Sequence, residues 1–297
     1  MEKSILVILS LILMVSCGEE VKIAPPSTDS NNEPAQEFVY SARQLNELKT
    51  ASKVVYNLPS PSEMAEILYE TNTIYDVEIL SNPKAEGKYN TDVTRALNLG
   101  VYFADLSFTS MFDYPQQAML FMSAAQGLSE ELDIEGVFKE ELFTRLEENS
   151  SSKDSIMEIV SYTYLETDFY LQENDRSVIA KAILAGAWIE GLYIATHLKT
   201  EDSGTEEIWK KIGDQKRGLT NLINMVEDCN EPQLQEFILK LRKLEKAFES
   251  VEILTYKEVP DTTLIKLVKT KIIVSDMTAA NIDVEVSACR DYMVIGK

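Results

Sequence analysis

Residues 177–198 read SVIAKAILAGAWIEGLYIATHL, and their apolar side chains cover nearly the whole circumference of a helix. A helix that is apolar on all sides is buried either in a protein core or in lipid. A membrane span needs about 20 predominantly apolar residues, but Lys181 and Glu190 interrupt this run and leave only eight residues between them. A carboxylate in mid-membrane costs about 2.5–3.5 kcal/mol on insertion scales. The segment therefore predicts the central helix of a protein core.

Small residues recur along this segment at intervals of about four positions, at Ala182, Gly186, Ala187, Gly191 and Ala195. Glycine inside a helix costs about 1 kcal/mol relative to alanine. Small residues let neighbouring helix backbones approach closely. The two glycines thus predict a close contact between the central helix and a neighbour.

The rest of the chain predicts helices that surround the central one. A capped start at Ser60 opens a helix to about Leu80, and an apolar pattern continues over 91–112, 115–132, 139–148 and 153–172. Beyond Lys199 the periodicity predicts further helices, and the β-branched runs Ile253–Val259 and Thr263–Val274 predict a small hairpin. The expected fold is an all-α bundle of about eight helices around a buried central helix, with a β-hairpin near the C-terminus.

The 297-residue chain has a net charge of −21, and the charge is unevenly distributed. Cys17–Leu198 contains 30 acidic and 12 basic residues, whereas Lys199–Lys297 contains 18 acidic and 15 basic residues. Such an acidic surface repels nucleic acid and anionic lipid headgroups. We therefore expect no nucleic-acid partner.

The N-terminus carries the most specific motif. Met1-Glu2-Lys3 precedes the apolar run Ser4–Val15 and the sequence Met14-Val15-Ser16-Cys17, which is typical of a secretion signal. These residues resemble a bacterial lipobox, with Met instead of Leu at its first position. The resemblance to bacterial lipoproteins implies that Cys17 is diacylated and that the peptide before it is removed. Acyl chains in pairs anchor a protein stably to a membrane.

The expected organisation is a signal peptide over 1–16, a flexible tether over 17–37 and a single α-helical domain over 38–297. Gly18 stands where inner-membrane lipoproteins carry Asp, so the resemblance implies a lipid anchor in the outer membrane, with the domain periplasmic or surface-exposed. The run from Pro59 to Leu198 also looks similar to uncharacterised helical bacterial lipoproteins.

Several common catalytic and metal-binding motifs are absent from the sequence. His197 is the only histidine, and no His-Glu-x-x-His, Glu-x-x-His, Cys-x-x-Cys-His or Gly-x-Ser-x-Gly pattern occurs. We therefore expect neither a metal nor a cofactor. Cys229 and Cys289 can form a disulfide in an oxidising compartment, but their spacing carries no signal for one.

Three acidic residues, Glu190, Asp105 and Asp168, lie in helices with apolar neighbours on more than one face. A pair of such acids could catalyse hydrolysis of a glycan or a peptide. Alternatively they are structural acids that bond to tyrosine hydroxyls, and the sequence favours this second interpretation. The function that the sequence favours is a non-enzymatic lipoprotein that binds a small-molecule ligand or a partner protein; a cell-envelope hydrolase and a structural assembly factor remain as alternatives.

Overall fold

The computed structural model describes residues 58–71, 73–149, 152–200, 204–258 and 267–295. The helices are α1 Pro61–Tyr69, α2 Asp92–Met111, α3 Pro115–Glu131, α4 Glu140–Glu148, α5 Lys153–Glu173, α6 Ser177–His197, α7 Gly204–Asp214, α8 Lys216–Glu227, α9 Gln235–Phe248 and α10 Asp276–Ile295. The strands are β1 Thr73–Ile74, β2 Lys199–Thr200, β3 Glu252–Glu258 and β4 Leu267–Ile273, and they form two antiparallel pairs, β1–β2 and β3–β4. The predicted all-α bundle with a small C-terminal hairpin is confirmed.

Helix α6 is the predicted central helix, and it is buried on every side. Ile183 and Trp188 are only 2% and 1% exposed. It is long and apolar enough to cross a bilayer, but 83% of its most apolar window is covered by the rest of the protein. Its neighbours include α2, α10, α1 and α5, so the surrounding helices supply the apolar environment that its composition requires.

The closest helix contact joins α6 to α2 through one glycine from each. A Cβ atom on Gly186 would lie 1.9 Å from the carbonyl oxygen of Leu97, and a Cβ on Gly100 would lie 2.0 Å from that of Ile183. Neither position has room for a side chain. The predicted close approach is thus present at Gly186, and Gly100 is its counterpart on α2. At Gly191 it is not, because a Cβ there would meet only the Met64 side chain, at 3.4 Å.

Helix α1 ends earlier than the sequence predicts. The expected helix to about Leu80 stops at Tyr69, because the hydroxyls of Thr71 and Thr73 both donate to the carbonyl of Leu68, at 2.6 and 3.1 Å. Such local side-chain bonds compete with helix continuation. The chain then pairs briefly with the segment after α6, with Thr73 opposite Thr200.

The first helical stretch after Lys199 is divided into two helices. Helix α7 ends at Asp214 and α8 begins at Lys216. A Cβ on Gly213 would lie 2.6 Å from the Ile272 side chain of the hairpin. Ile272 pairs with Ile253 across the two strands, and both pack against the core. The glycine therefore lets the inner face of the hairpin lie close to α7.

Two further sequence predictions concern the cysteine pair and the N-terminal segments. Cys229 and Cys289 are both free thiols in the structure, so the disulfide is not formed. Cys229 is half-buried and Cys289 is fully buried on α10. The signal peptide over 1–16, the tether over 17–37 and the acylated Cys17 lie outside the described residues.

Candidate functional site

Glu190 lies in the middle of α6 and is completely buried, with no exposed surface. Its two carboxylate oxygens accept hydrogen bonds from Arg290 on α10: Nε donates to Oε2 at 3.1 Å and Nη2 donates to Oε1 at 3.2 Å. The guanidinium carbon also lies 4.5 Å from the centre of the Tyr193 ring. This two-point geometry is the strongest that arginine and a carboxylate form. It ties the last helix to the central one.

Asp105 on α2 is also completely buried, and it lies beside Glu190. Its Oδ2 accepts hydrogen bonds from the backbone N–H of Ser81, at 3.1 Å, and from the Ser81 hydroxyl. The two carboxyl groups are close enough that each affects the pKa of the other. Two of the three acids that the sequence singled out therefore come together, on helices that are neighbours in the bundle.

Two opposing effects set the pKa values of Glu190 and Arg290: burial, and the attraction between their charges. Burial raises the pKa of Glu190 above its ordinary value, while the charge and the hydrogen bonds of Arg290 work against that rise. For Arg290, burial by itself would lower the pKa, but the charge and the hydrogen bonds of Glu190 outweigh this effect and the pKa lies above its ordinary value. Arg290 therefore stays charged, and a charged Glu190 is its natural partner.

The third candidate, Asp168, makes none of these contacts. It lies on α5, is 7% exposed, and accepts a hydrogen bond from Gln172 one turn further along the same helix, at 3.1 Å. A hydrolytic pair that includes Asp168 therefore finds no support in the geometry. The acids that do meet are Asp105 and Glu190.

Arg290 is the member of the site that the sequence reasoning missed. It follows Cys289 and lies four residues after Val286, at the edge of the buried apolar stripe of α10. An arginine at such an edge can pack its methylene groups on apolar side chains while its guanidinium group bonds to a nearby acid. Its partner is 100 residues away in the sequence, however, so the pairing becomes visible only once α6 and α10 are seen to pack together.

The arrangement is suited to holding helices together and poorly suited to catalysis. Neither carboxyl group is exposed to solvent, and the oxygens of Glu190 are occupied by Arg290. His197, at the end of α6, is held by its own helix: its Nδ1 lies 3.0 Å from the Tyr193 carbonyl and 3.5 Å from an Asp283 oxygen. Over the ranges that the structure describes, no group of three or more acidic, histidine or cysteine side chains is placed to hold a metal ion.

One open groove lies elsewhere, between α8 and the start of β3. Its volume is about 540 Å³, and it is lined by Lys216, Arg217, Thr220, Asn221, Val251 and Ile253. Lys216 is already engaged, since its ammonium group donates to the carbonyls of Glu249 and Val251 at 3.0 and 2.9 Å. None of the three candidate acids lines this groove.

The chain was also compared with models of protein families, with curated proteins and with solved structures. No match was found in any of the three comparisons.

Proposed function

We propose that the chain is a lipoprotein anchored in the outer membrane whose helical domain binds a partner protein and catalyses no reaction. The observation that carries the proposal is the exposed apolar face of α10. The burial of Asp105 and Glu190 supports it as well, because a hydrolase needs its carboxyl groups open to a substrate.

Helix α10 is apolar on two opposite faces. One face consists of Ile282, Val286, Cys289 and Met293 and is buried in the core. The opposite face carries Met277, Val284 and Ile295, which are 76%, 63% and 57% exposed. These three positions are 7 and 11 residues apart, close to whole numbers of turns at about 3.6 residues per turn, so they lie on one line along the helix.

This exposed line has the character of an interaction surface. Single exposed apolar side chains are ordinary on protein surfaces, but apolar anchors seven residues apart on one face, such as Met277 and Val284, are what a helix presents to the groove of a partner. A helix surface is convex, whereas small-molecule sites are concave and enclose their ligand. A convex apolar helix face instead fits the hydrophobic groove of a partner protein. Asp291 lies on the same line and is exposed, so the partner's groove should carry a basic side chain opposite it.

The test places a photo-crosslinking amino acid at Val284 in the full chain, expressed in the bacterium that makes it. The matched control places the same group at Glu130, which is exposed on α3. We expect a defined adduct from position 284 that is absent from position 130 and that weakens when Met277→Glu and Ile295→Glu are added. Equal labelling from both positions, or none from position 284, contradicts the proposal. An adduct of twice the chain mass indicates self-association and favours the assembly-factor alternative.

The anchor is tested separately. We expect Cys17→Ser to move the protein from the membrane fraction to the soluble fraction and to remove the mass of the acyl chains from its N-terminal peptide. Persistence of the variant in the outer membrane contradicts the lipid anchor and leaves the role of α10 open. Turnover of a cell-envelope substrate by the purified protein would instead favour the hydrolase.

A further inference from the structure

Asp105 and Glu190 are two completely buried acids that lie near each other, and each is already a hydrogen-bond acceptor. Oδ2 of Asp105 accepts from Ser81, and both oxygens of Glu190 accept from Arg290. Oδ1 of Asp105 is completely buried and has no hydrogen-bond partner among the residues that the structure describes, and its carboxyl group is close enough to Glu190 for each acid to affect the pKa of the other. Ionised carboxylates can only accept. A hydrogen bond between the two acids therefore requires a proton that one of them carries.

We propose that Asp105 is protonated in the folded protein at neutral pH and donates this proton in a hydrogen bond to Glu190, so that one proton helps to hold α2, α6 and α10 together. The assignment to Asp105 follows from the partners of each acid. Glu190 has the positive charge of Arg290 to stabilise its ionised form, whereas Asp105 contacts the uncharged groups of Ser81. The three side chains then carry one negative and one positive charge, and the interior is neutral.

The electrostatic surroundings favour the same assignment. Burial, and after it the negative charge of Glu190, raise the pKa of Asp105 well above its ordinary value, and the Ser81 hydrogen bonds and the charge of Arg290 offset this only in part. Two phenols near the pair, Tyr75 and Tyr89, are themselves held neutral, because burial raises the pKa of each above its usual range.

The remaining groups near the pair lie on α6. Burial also raises the pKa of Tyr193, so this phenol is neutral as well. The interaction with His197 favours the ionised form of Glu190. Among the described residues, the cations near the pair thus favour the ionised form of Glu190, and Arg290 offsets the raised pKa of Asp105 only in part.

The proposal sets the direction of a pH effect. The pKa of Asp105 is higher in the folded than in the unfolded state, where it is about 3.9. Its contribution to stability is then complete below about pH 4 and is lost as the pH rises through the folded value. Ionising Asp105 in the folded state places two negative charges beside one positive charge. The free energy of unfolding should therefore fall as the pH rises through the folded pKa of Asp105.

The experiment compares the full chain with Asp105→Asn. The amide keeps the oxygen that accepts from Ser81 and supplies an N–H to Glu190, but it does not titrate. Unfolding by urea is measured from about pH 5 to about pH 9. Because the folded wild type holds one more proton than its unfolded state, its unfolding equilibrium constant should rise relative to that of Asp105→Asn, about tenfold for each pH unit up to the folded pKa.

Asp133→Asn is the matched control. Asp133 is exposed and has a positive φ of 54°, which asparagine tolerates, so this variant should keep the pH dependence of the wild type. The proposal is overturned if the ratio of the unfolding equilibrium constants of wild type and Asp105→Asn does not change with pH. If Asp105→Asn does not fold, the infrared carbonyl band of a protonated carboxylic acid decides the matter in the wild type: at pH 7 its presence supports the proposal and its absence overturns it.

Discussion

The fold leaves no room for a side chain at Gly186, and the replacement of this glycine gives the first prediction. A Cβ there would overlap the backbone carbonyl of Leu97 at 1.9 Å, and backbone in the middle of a helix cannot move aside locally. Overpacking costs typically 1–3 kcal/mol and occasionally more. We expect Gly186→Ala to lower the free energy of unfolding by about 3 kcal/mol or more, measured by urea denaturation.

Gly191 on the same helix provides the control. A Cβ there would meet only the flexible side chain of Met64, at 3.4 Å, and alanine is favoured over glycine inside a helix by about 1 kcal/mol. Gly191→Ala should leave the stability unchanged or raise it slightly. Equal losses for the two variants would mean that α2 and α6 do not approach each other as described.

The two free thiols differ in environment, and this predicts their reactivity. Burial raises the pKa of Cys289 to about 12, and its side chain is inaccessible. Cys229 is half-buried, and burial raises its pKa as well. Since the thiolate is the reacting form, we expect an alkylating reagent at pH 8 to modify Cys229 slowly and Cys289 only after unfolding, as read by peptide mass spectrometry. Recovery of a disulfide-linked peptide pair from the native chain contradicts this.

Sequence reasoning found the two acids of the site but not their cation. Glu190 is recognisable because it interrupts an apolar helix, and Asp105 because its neighbours on both sides are apolar. Arg290 carries no such signal, since basic residues at the edge of an amphipathic helix are common on surfaces. Its role depends on how α10 packs on α6, which is a contact between distant parts of the chain.

At the scale of the element, the buried position of α6 predicts the fluorescence of the protein. The chain has two tryptophans: Trp188 is 1% exposed and its indole N–H has no partner among the described residues, whereas Trp209 on α7 is only partly buried. In Trp209→Phe, the remaining emission should be strongly blue-shifted, and acrylamide should quench it several-fold less than in the unfolded chain.

Trp188→Phe is the companion variant, and the emission of its remaining Trp209 should lie at longer wavelength and quench more readily. If both variants emit alike, Trp188 faces water and α6 is not the core of the bundle.

The existence of the elements was easier to predict than their ends. Strong apolar periodicity and caps such as Thr91, which accepts from the backbone of Thr94, locate α2 to within a residue. The end of α1 depends on two threonine hydroxyls that both donate to the carbonyl of Leu68 and so compete with continuation of the helix. The break between α7 and α8 occurs where Gly213 meets the hairpin. Such contacts are decided by tertiary packing, which local periodicity does not contain.

At the scale of the whole molecule, the dominant property is the net charge of −21. Like charges repel within the folded state and destabilise it, and dissolved salt screens them, with a Debye length of about 10 Å at 0.1 M. Surface ion pairs such as Arg95–Glu131, at 2.6 Å, weaken under the same screening, but each contributes only about 0–1 kcal/mol.

The repulsion should therefore dominate, and we expect the Tm at pH 7.5 to rise by a few degrees between about 10 and about 300 mM NaCl. Near pH 4.5 the sequence predicts no net charge, so the same increase in salt should leave the Tm nearly constant there. This second pH separates screening of the net charge from a general effect of the salt on burial. A Tm that falls with added salt at pH 7.5 would mean that the attractive pairs of the folded protein outweigh its net repulsion.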